Sequence, residues 1–171
     1  MDWQGILRQW LPKPEENRSI MSDDVDVKEL SGLEYVRWLK ENDTNNDVPS
    51  IRRLLGMEFL EIEEGRVVMG LTTQPDFGNP QGTVHGGIAS TLLDTVMGRS
   101  VMTTLPAGIN FTTLELKVNF VRATTSDGQR MIGEGKVIHV GRRVATASGE
   151  VRDEQGRLIA HSTCTCLILG R

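Results

Sequence analysis

Apolar residues change their spacing several times along this chain, and the changes mark out its elements. Behind Ser31, the residues Leu33, Val36, Trp38 and Leu39 recur at helical intervals, and Glu34 stands three places after the serine in the pattern of a capping box. The polar run Asn42-Asp43-Thr44-Asn45-Asn46-Asp47 ends that helix, and residues 49–55 predict a short helical piece. From Met57 the period falls towards two. Phe59 to Leu71 reads as two strands turning at Glu64-Gly65. At Gly86 it becomes helical again: Ile88, Leu92 and Val96 repeat at i and i+4, Leu93 and Met97 widen the stripe, and the helix stops before Pro106-Ala107-Gly108. Leu114, Leu116, Val118 and Phe120 then alternate with Glu115, Lys117, Asn119 and Val121, which predicts a half-buried strand with the first set inward. Turns at Asp127-Gly128, Gly141-Arg142-Arg143 and Asp153-Glu154-Gln155-Gly156 divide off three more strands, 131–140, 144–151 and 158–169. The four strands after the helix are expected to run as an antiparallel meander.

This order predicts an α+β domain, an antiparallel sheet of about six strands wrapped around one long central helix. Residues 51–171 form that domain, and residues 1–50 form an N-terminal extension with a short helix and a linker, acidic over Met21–Asp26. Near the start, Trp3, Ile6, Leu7, Trp10 and Leu11 precede Pro12 and Pro14, a segment that reads equally as a docking element or as a loosely packed extension.

Composition narrows the function. A chain of 171 residues suits one core. A net charge of −4 gives no general attraction to nucleic acid or to an anionic membrane, so any anion site must be a local cluster. No run of about 20 apolar residues is present to span a membrane, and Asp2, Arg8 and Lys13 are foreign to a secretory signal. Cys164 and Cys166 share one face of a strand, a poor geometry for a mutual disulfide, and read as buried thiols of a cytoplasmic protein.

The chemistry concentrates between Gly78 and Asp94. Up to His85 the residues Gly78, Asn79, Pro80 and Gly82 are turn formers. Gly86-Gly87 then opens the helix with backbone N–H groups that no side chain shields, donors suited to an oxygen that develops negative charge. Asp94 is a carboxylate in an apolar helix, costly to bury without a purpose or a partner. It lies nine residues past His85, which is about 13 Å along the axis and on the opposite face. One helix cannot bring both to one carbonyl, so a reaction using both requires a second copy of the chain at a two-fold interface.

The combination of Asn79, Gly82, His85-Gly86-Gly87 and Asp94 resembles the signature of the phenylacetyl-CoA thioesterase (PaaI-type) branch of the hot-dog fold thioesterases, and the resemblance extends over roughly residues 50 to 170. It implies the hot-dog fold, hydrolysis of an acyl-CoA thioester, and a homo-oligomer, a dimer at minimum and often a dimer of dimers. It also implies roles for single residues. The Gly86 N–H meets the thioester oxygen, Asp94 of the partner chain is base or nucleophile, Asn79 orients water or the carboxylate, and His85 lies near the thioester. Thr113 stands where relatives carry a water-positioning hydroxyl, with Thr112 adjacent.

Gly87 is counted with the substrate-binding residues. Gly141, Arg142 and Arg143 are candidates for the coenzyme A phosphates because guanidinium forks fit phosphate oxygens, and Arg122 is a weaker one. Leu93, Met97 and Met102 are candidate pocket walls. No metal or organic cofactor is implied: His85, His139 and His161 are widely spaced, with no Cys/His pairing. Gly133-Glu134-Gly135-Lys136 lacks the hydroxyl residue and upstream glycine of a phosphate loop, and no Gly-x-Ser-x-Gly elbow occurs. Two rivals remain on the same fold, a hydratase or dehydratase of acyl thioesters and a non-catalytic acyl-CoA-binding regulator. Regulators usually bring a DNA-binding module, and residues 1–50 hold no basic helix-turn-helix.

Overall fold

The structure, a computed structural model, describes residues 26–42 and 50–170; the Trp3–Leu11 segment lies outside the described residues. Helix α1 (Gly32–Glu41) begins with the capping box its sequence promises: the Glu34 N–H donates to the Ser31 hydroxyl, and the Ser31 N–H donates to the Glu34 carboxylate at 2.8 Å. A short helix α2 (Ile51–Leu54) follows, and strands β1 (Glu58–Glu63) and β2 (Arg66–Thr72) turn at Gly65, whose φ of 74° suits glycine. A 3₁₀ turn (Pro75–Phe77) leads through the glycine-rich loop to helix α3 (Gly86–Met102). Strands β3 (Asn110–Phe120), β4 (Arg130–Val140), β5 (Val144–Asp153) and β6 (Leu158–Leu169) complete one antiparallel sheet.

The spatial order is β1-β2-β4-β5-β6-β3, so the expected four-strand meander holds only for β4, β5 and β6. After α3 the chain enters the sheet at its far edge, where β3 pairs with β6, and residues 121–129 carry it back to β4 beside β2. That connection is tied down on the way: the Val121 and Arg122 N–H groups donate to Ile159 O, the Val84 N–H donates to Thr124 O, and the Thr73 N–H donates to Gln129 O. The Asp127-Gly128 turn therefore belongs to a crossing rather than to a hairpin, a distinction that turn residues alone do not carry.

Helix α3 lies across the concave face of this sheet and is enclosed more fully than its i, i+4 stripe suggests. Leu92, Leu93, Val96, Met97 and Val101 are completely buried, and so is Ser100, whose hydroxyl donates back to Val96 O at 2.7 Å. Each such apolar side chain contributes about 1.5–3 kcal/mol. Leu93 and Met97 thus belong to the core, not to a pocket wall. The helix sits close to the sheet because β4 and β5 offer bare backbone beneath it. A Cβ on Gly135 would fall 2.5 Å from the Val96 carbonyl carbon, and one on Gly149 would fall 2.9 Å from Met97 Cγ. The glycines of the discounted phosphate-loop look-alike are therefore packing residues.

Residue 50 does not mark the edge of the core. Val36 of α1 is fully buried and Leu39 nearly so. The Gly32 N–H donates to Leu105 O at 2.8 Å, and a side chain at Gly32 would strike the backbone of Met102. The C-terminal end of α3 is also fastened to the β1–β2 turn, because the Thr103 hydroxyl accepts from the Gly65 N–H at 2.8 Å.

Strand β3 departs from its predicted alternation. Its pairing with β6 shifts between Thr113 and Glu115, leaving Leu114 as a bulge. Phe111 and Thr113 are half-buried before the bulge, Leu116 and Val118 after it, while Leu114 and Phe120 are each 59% exposed. The extra residue reverses which parity faces α3, so the expected inward set of Leu114, Leu116, Val118 and Phe120 is half wrong.

Candidate active site

Asn79 builds the loop in front of α3. Its side-chain oxygen accepts from the Gln81 N–H at 3.0 Å and the Thr83 N–H at 3.1 Å, and its Nδ2 donates to the Thr83 hydroxyl at 2.9 Å. With Gly82 in the left-handed region at φ 77° and an isolated bridge between Gly78 and Val84, this makes a closed hairpin. Within one chain, then, Asn79 shapes the loop, and one Nδ2 hydrogen remains for any other partner.

The hairpin delivers His85 to the N-cap of α3. Its backbone N–H donates to Phe77 O at 2.8 Å, and its ring Nδ1 accepts from the Gly87 N–H at 2.9 Å. A ring nitrogen that accepts is unprotonated, so the neutral imidazole carries its hydrogen on Nε2, which points away from the helix end. Gly87 must lack a side chain for this cap to form, since a Cβ there would lie 2.9 Å from His85 Nδ1. The Ile88 N–H is taken by His85 O at 3.0 Å. Among the described residues no group accepts from the Gly86 N–H, which therefore stands at the positive end of a 17-residue helix as its open donor. The Phe120 ring lies over Gly86, with Cζ 2.9 Å from where a Cβ would be.

Asp94 stands two turns farther along α3 and is half-buried. The Thr113 hydroxyl donates to its Oδ1 at 3.0 Å, leaving Oδ2 for another donor. The β3 bulge is what aims Thr113, and not Thr112, at the carboxylate. Directly across β3–β6 from Thr113 lies Cys166, and the Cys164 and Cys166 sulfurs are 3.9 Å apart and buried. The neighbouring sulfur and burial push the Cys164 thiol up, which keeps it protonated and unreactive.

Behind Asp94 a cavity of 740 Å³ opens between α3, α1, α2 and the start of β3. Tyr35, Gly98, Arg99, Met102, Phe111 and Thr113 line it. Of the anticipated pocket residues only Met102 is there. Tyr35 and Arg99 were not foreseen. An arginine five residues beyond an acid in a mostly apolar helix was the available signal for one, but nothing local shows that α1 folds back to supply the other. Gly141, Arg142 and Arg143 form the β4–β5 turn, away from this cavity, with both arginine side chains exposed. Among the described residues no group of three or more His, Cys, Asp or Glu side chains is placed to hold a metal ion, and no helix is long and apolar enough to cross a membrane.

One chain therefore presents an N–H donor at one end of α3 and a hydroxyl-bound carboxylate opening on a cavity, about 12 Å further along the axis. The thioesterase superfamily model matches residues 81–160, a span that includes both. A protein assigned as an esterase in Saccharolobus solfataricus is 31% identical over 119 residues, covering 70% of this chain and 83% of that one. The 1,4-dihydroxy-2-naphthoyl-CoA hydrolase of Listeria monocytogenes is 22% identical over 119 residues, 69% of this chain and 94% of its own length. In fold the chain matches the E. coli PaaI protein from the phenylacetic acid degradation operon with a TM-score of 0.70 at 19% identity, over 81% of this chain and 96% of PaaI. The protein belongs to the thioesterase superfamily, with the hot-dog fold, and is a thioester hydrolase.

Proposed function

We propose that the protein hydrolyses acyl-CoA thioesters at a site shared by two copies of the chain. The observation that carries this reading is the separation of the open Gly86 N–H from Asp94 along a straight helix, which prevents one chain from offering both to one carbonyl. Edge strand β3 supplies the means of pairing: it is 11 residues long, bonded to β6 on one side only, and shows exposed Leu114 and Phe120. Two such edges side by side would set the start of one α3 near the middle of the other.

In the proposed reaction the Gly86 N–H polarises the thioester carbonyl, and the partner's acid takes a proton from water as the new C–O bond forms. Thr113 holds Oδ1, so Oδ2 receives the proton. Collapse of the tetrahedral intermediate breaks the C–S bond, and the thiolate leaves without much acid assistance, later taking the proton. The chain's own groups suffice for these steps, and no cofactor is invoked. The His85 Nε2–H faces the incoming ester, and Arg142 and Arg143, on the exposed β4–β5 turn with Gly141, are proposed to meet the phosphates of coenzyme A. The coenzyme A ester named for the Listeria relative supports this substrate class.

Mixed oligomers test the sharing. Gly86→Pro removes the donor at a helix position that tolerates proline, after a residue already extended at φ −61°, ψ 133°, and its ring displaces only the outer end of the exposed Phe120 side chain. Co-expressed with Asp94→Asn, it should regain about a quarter of wild-type activity, because half the dimers are mixed and each holds one intact site. A site built within one chain would regain none.

Thr113 gives a separate expectation. Thr113→Val keeps the shape and removes the hydroxyl, and should lower kcat about tenfold with little change in Tm, whereas Thr113→Ser should stay close to wild type. Steady-state kinetics beside a thermal melt would show it.

A further inference from the structure

The cavity behind Asp94 has a charge pattern that cleavage of a plain thioester does not need. Lys28 and Arg99 line it together with Asp94, the one carboxylate of its lining. Arg99 is the informative member. It lies on α3 itself, five residues past Asp94, among Gly98, Met102 and Phe111. Its guanidinium sits 6.0 Å from the centre of the Tyr35 ring, a cation–π contact. Among the described residues no carboxylate lies within ion-pair distance of it. Burial pushes its pKa down from the ordinary arginine value, nearby Arg52 pushes the same way, and Tyr35 opposes them. A guanidinium does not give up its proton in a protein, so with Tyr35 as its only stabilising neighbour among the described residues Arg99 favours an anion placed in the cavity beside it.

We propose that the acyl group this enzyme cleaves ends in a carboxylate, which Arg99 receives in a forked pair; the substrate class is the coenzyme A thioesters of short dicarboxylic acids. The proposal rests on the reading of Asp94 as the hydrolytic acid and extends it. Five residues of helix rise about 7.5 Å and turn about 140°, but both side chains line one cavity, so across it a carboxylate at Arg99 lies a short acyl chain away from a carbonyl at Asp94. Gly98, between them, carries the Phe111 ring, its Cζ 2.9 Å from where a Cβ would be, and that ring lines the cavity on which both side chains open. Coenzyme A phosphates are the other possible anion. They sit at the far end of the pantetheine arm from the thioester, whereas Arg99 lies close to Asp94, beneath Tyr35 of α1.

Matched esters test this on the full-length protein. Wild type should cleave adipoyl-CoA with kcat/KM at least about tenfold above hexanoyl-CoA. Arg99→Met should abolish that ratio, and Arg99→Lys should keep part of it. The ratio should persist with adipoyl- and hexanoyl-pantetheine, which lack the nucleotide phosphates. No preference in wild type, an equal loss on both esters in Arg99→Met, or a ratio that disappears with the pantetheine esters would overturn the proposal, the last by assigning Arg99 to coenzyme A. Adipate and hexanoate themselves give a readout that does not need turnover: adipate should raise the Tm of wild type and not of Arg99→Met. If no thioester were cleaved, the Asp94 reading would fall, while the adipate shift would still decide the arginine.

Discussion

Asp94→Asn should reduce kcat by at least about two orders of magnitude on the best thioester, with KM and the melting temperature close to wild type. The amide keeps the shape and still accepts from the Thr113 hydroxyl, the 3.0 Å contact that holds Oδ1, so the helix and the β3 bulge have no reason to move. What disappears is a group able to take a proton from water, a loss of roughly 10²–10⁴ in rate for a positioned general base. Because Asp94 acts on the water while the Gly86 N–H holds the carbonyl, binding of the carbonyl should survive and the loss should fall on kcat. Steady-state kinetics with thiol detection, beside circular dichroism and a thermal melt, would measure it. Near wild-type turnover would remove Asp94 from the reaction.

The largest effect on stability is expected at Gly135. Alanine there directs a methyl group at the Val96 carbonyl, 2.5 Å from its carbon and 2.7 Å from Met97 N, and neither atom can step aside without moving α3. The cost should be about 3 kcal/mol, or roughly 6–12 °C in Tm for a chain of this size. Gly133→Ala is the internal control. Its new methyl would meet the Leu92 side chain, with Cγ at 2.8 Å, which can change rotamer, so the loss should be clearly smaller. Differential scanning calorimetry of the two variants would separate them, and equal losses would mean that the helix is not seated on the backbone of β4.

The elements were legible in the sequence because each has a local cause. Ser31 and Glu34 announce α1, Glu64-Gly65 announces the first hairpin, and Gly86-Gly87 marks the start of α3. The candidate positions stood out for the same reason, since an open glycine donor and an acid in an apolar helix are anomalies that local physics does not explain. Pairing was not legible. Whether β3 lies beside β4 or beside β6 depends on the path of residues 121–129, which is fixed by bonds to Ile159 and to the loop before α3. The wall contributed by α1 was hidden likewise: the side chains of that helix resemble any surface helix, and only Gly32, pressed against Met102, marks its docking. Asn79 is a third case, because an amide bonded three ways inside its own loop is indistinguishable in sequence from one aimed only at a substrate.

Leu114 gives the β3 strand an unusual relation to its own length. Most strands suffer from losing a residue, because everything beyond the gap turns over. Here the odd residue is what lets the first half of the strand serve the carboxylate while the second half serves the interior. A shortened chain lacking Leu114 would have a perfectly regular ladder and would have to give up one allegiance: either Thr113 swings out to solvent or Leu116 and Val118 do. Regularity in this strand and a hydroxyl bonded to the Asp94 carboxylate are mutually exclusive.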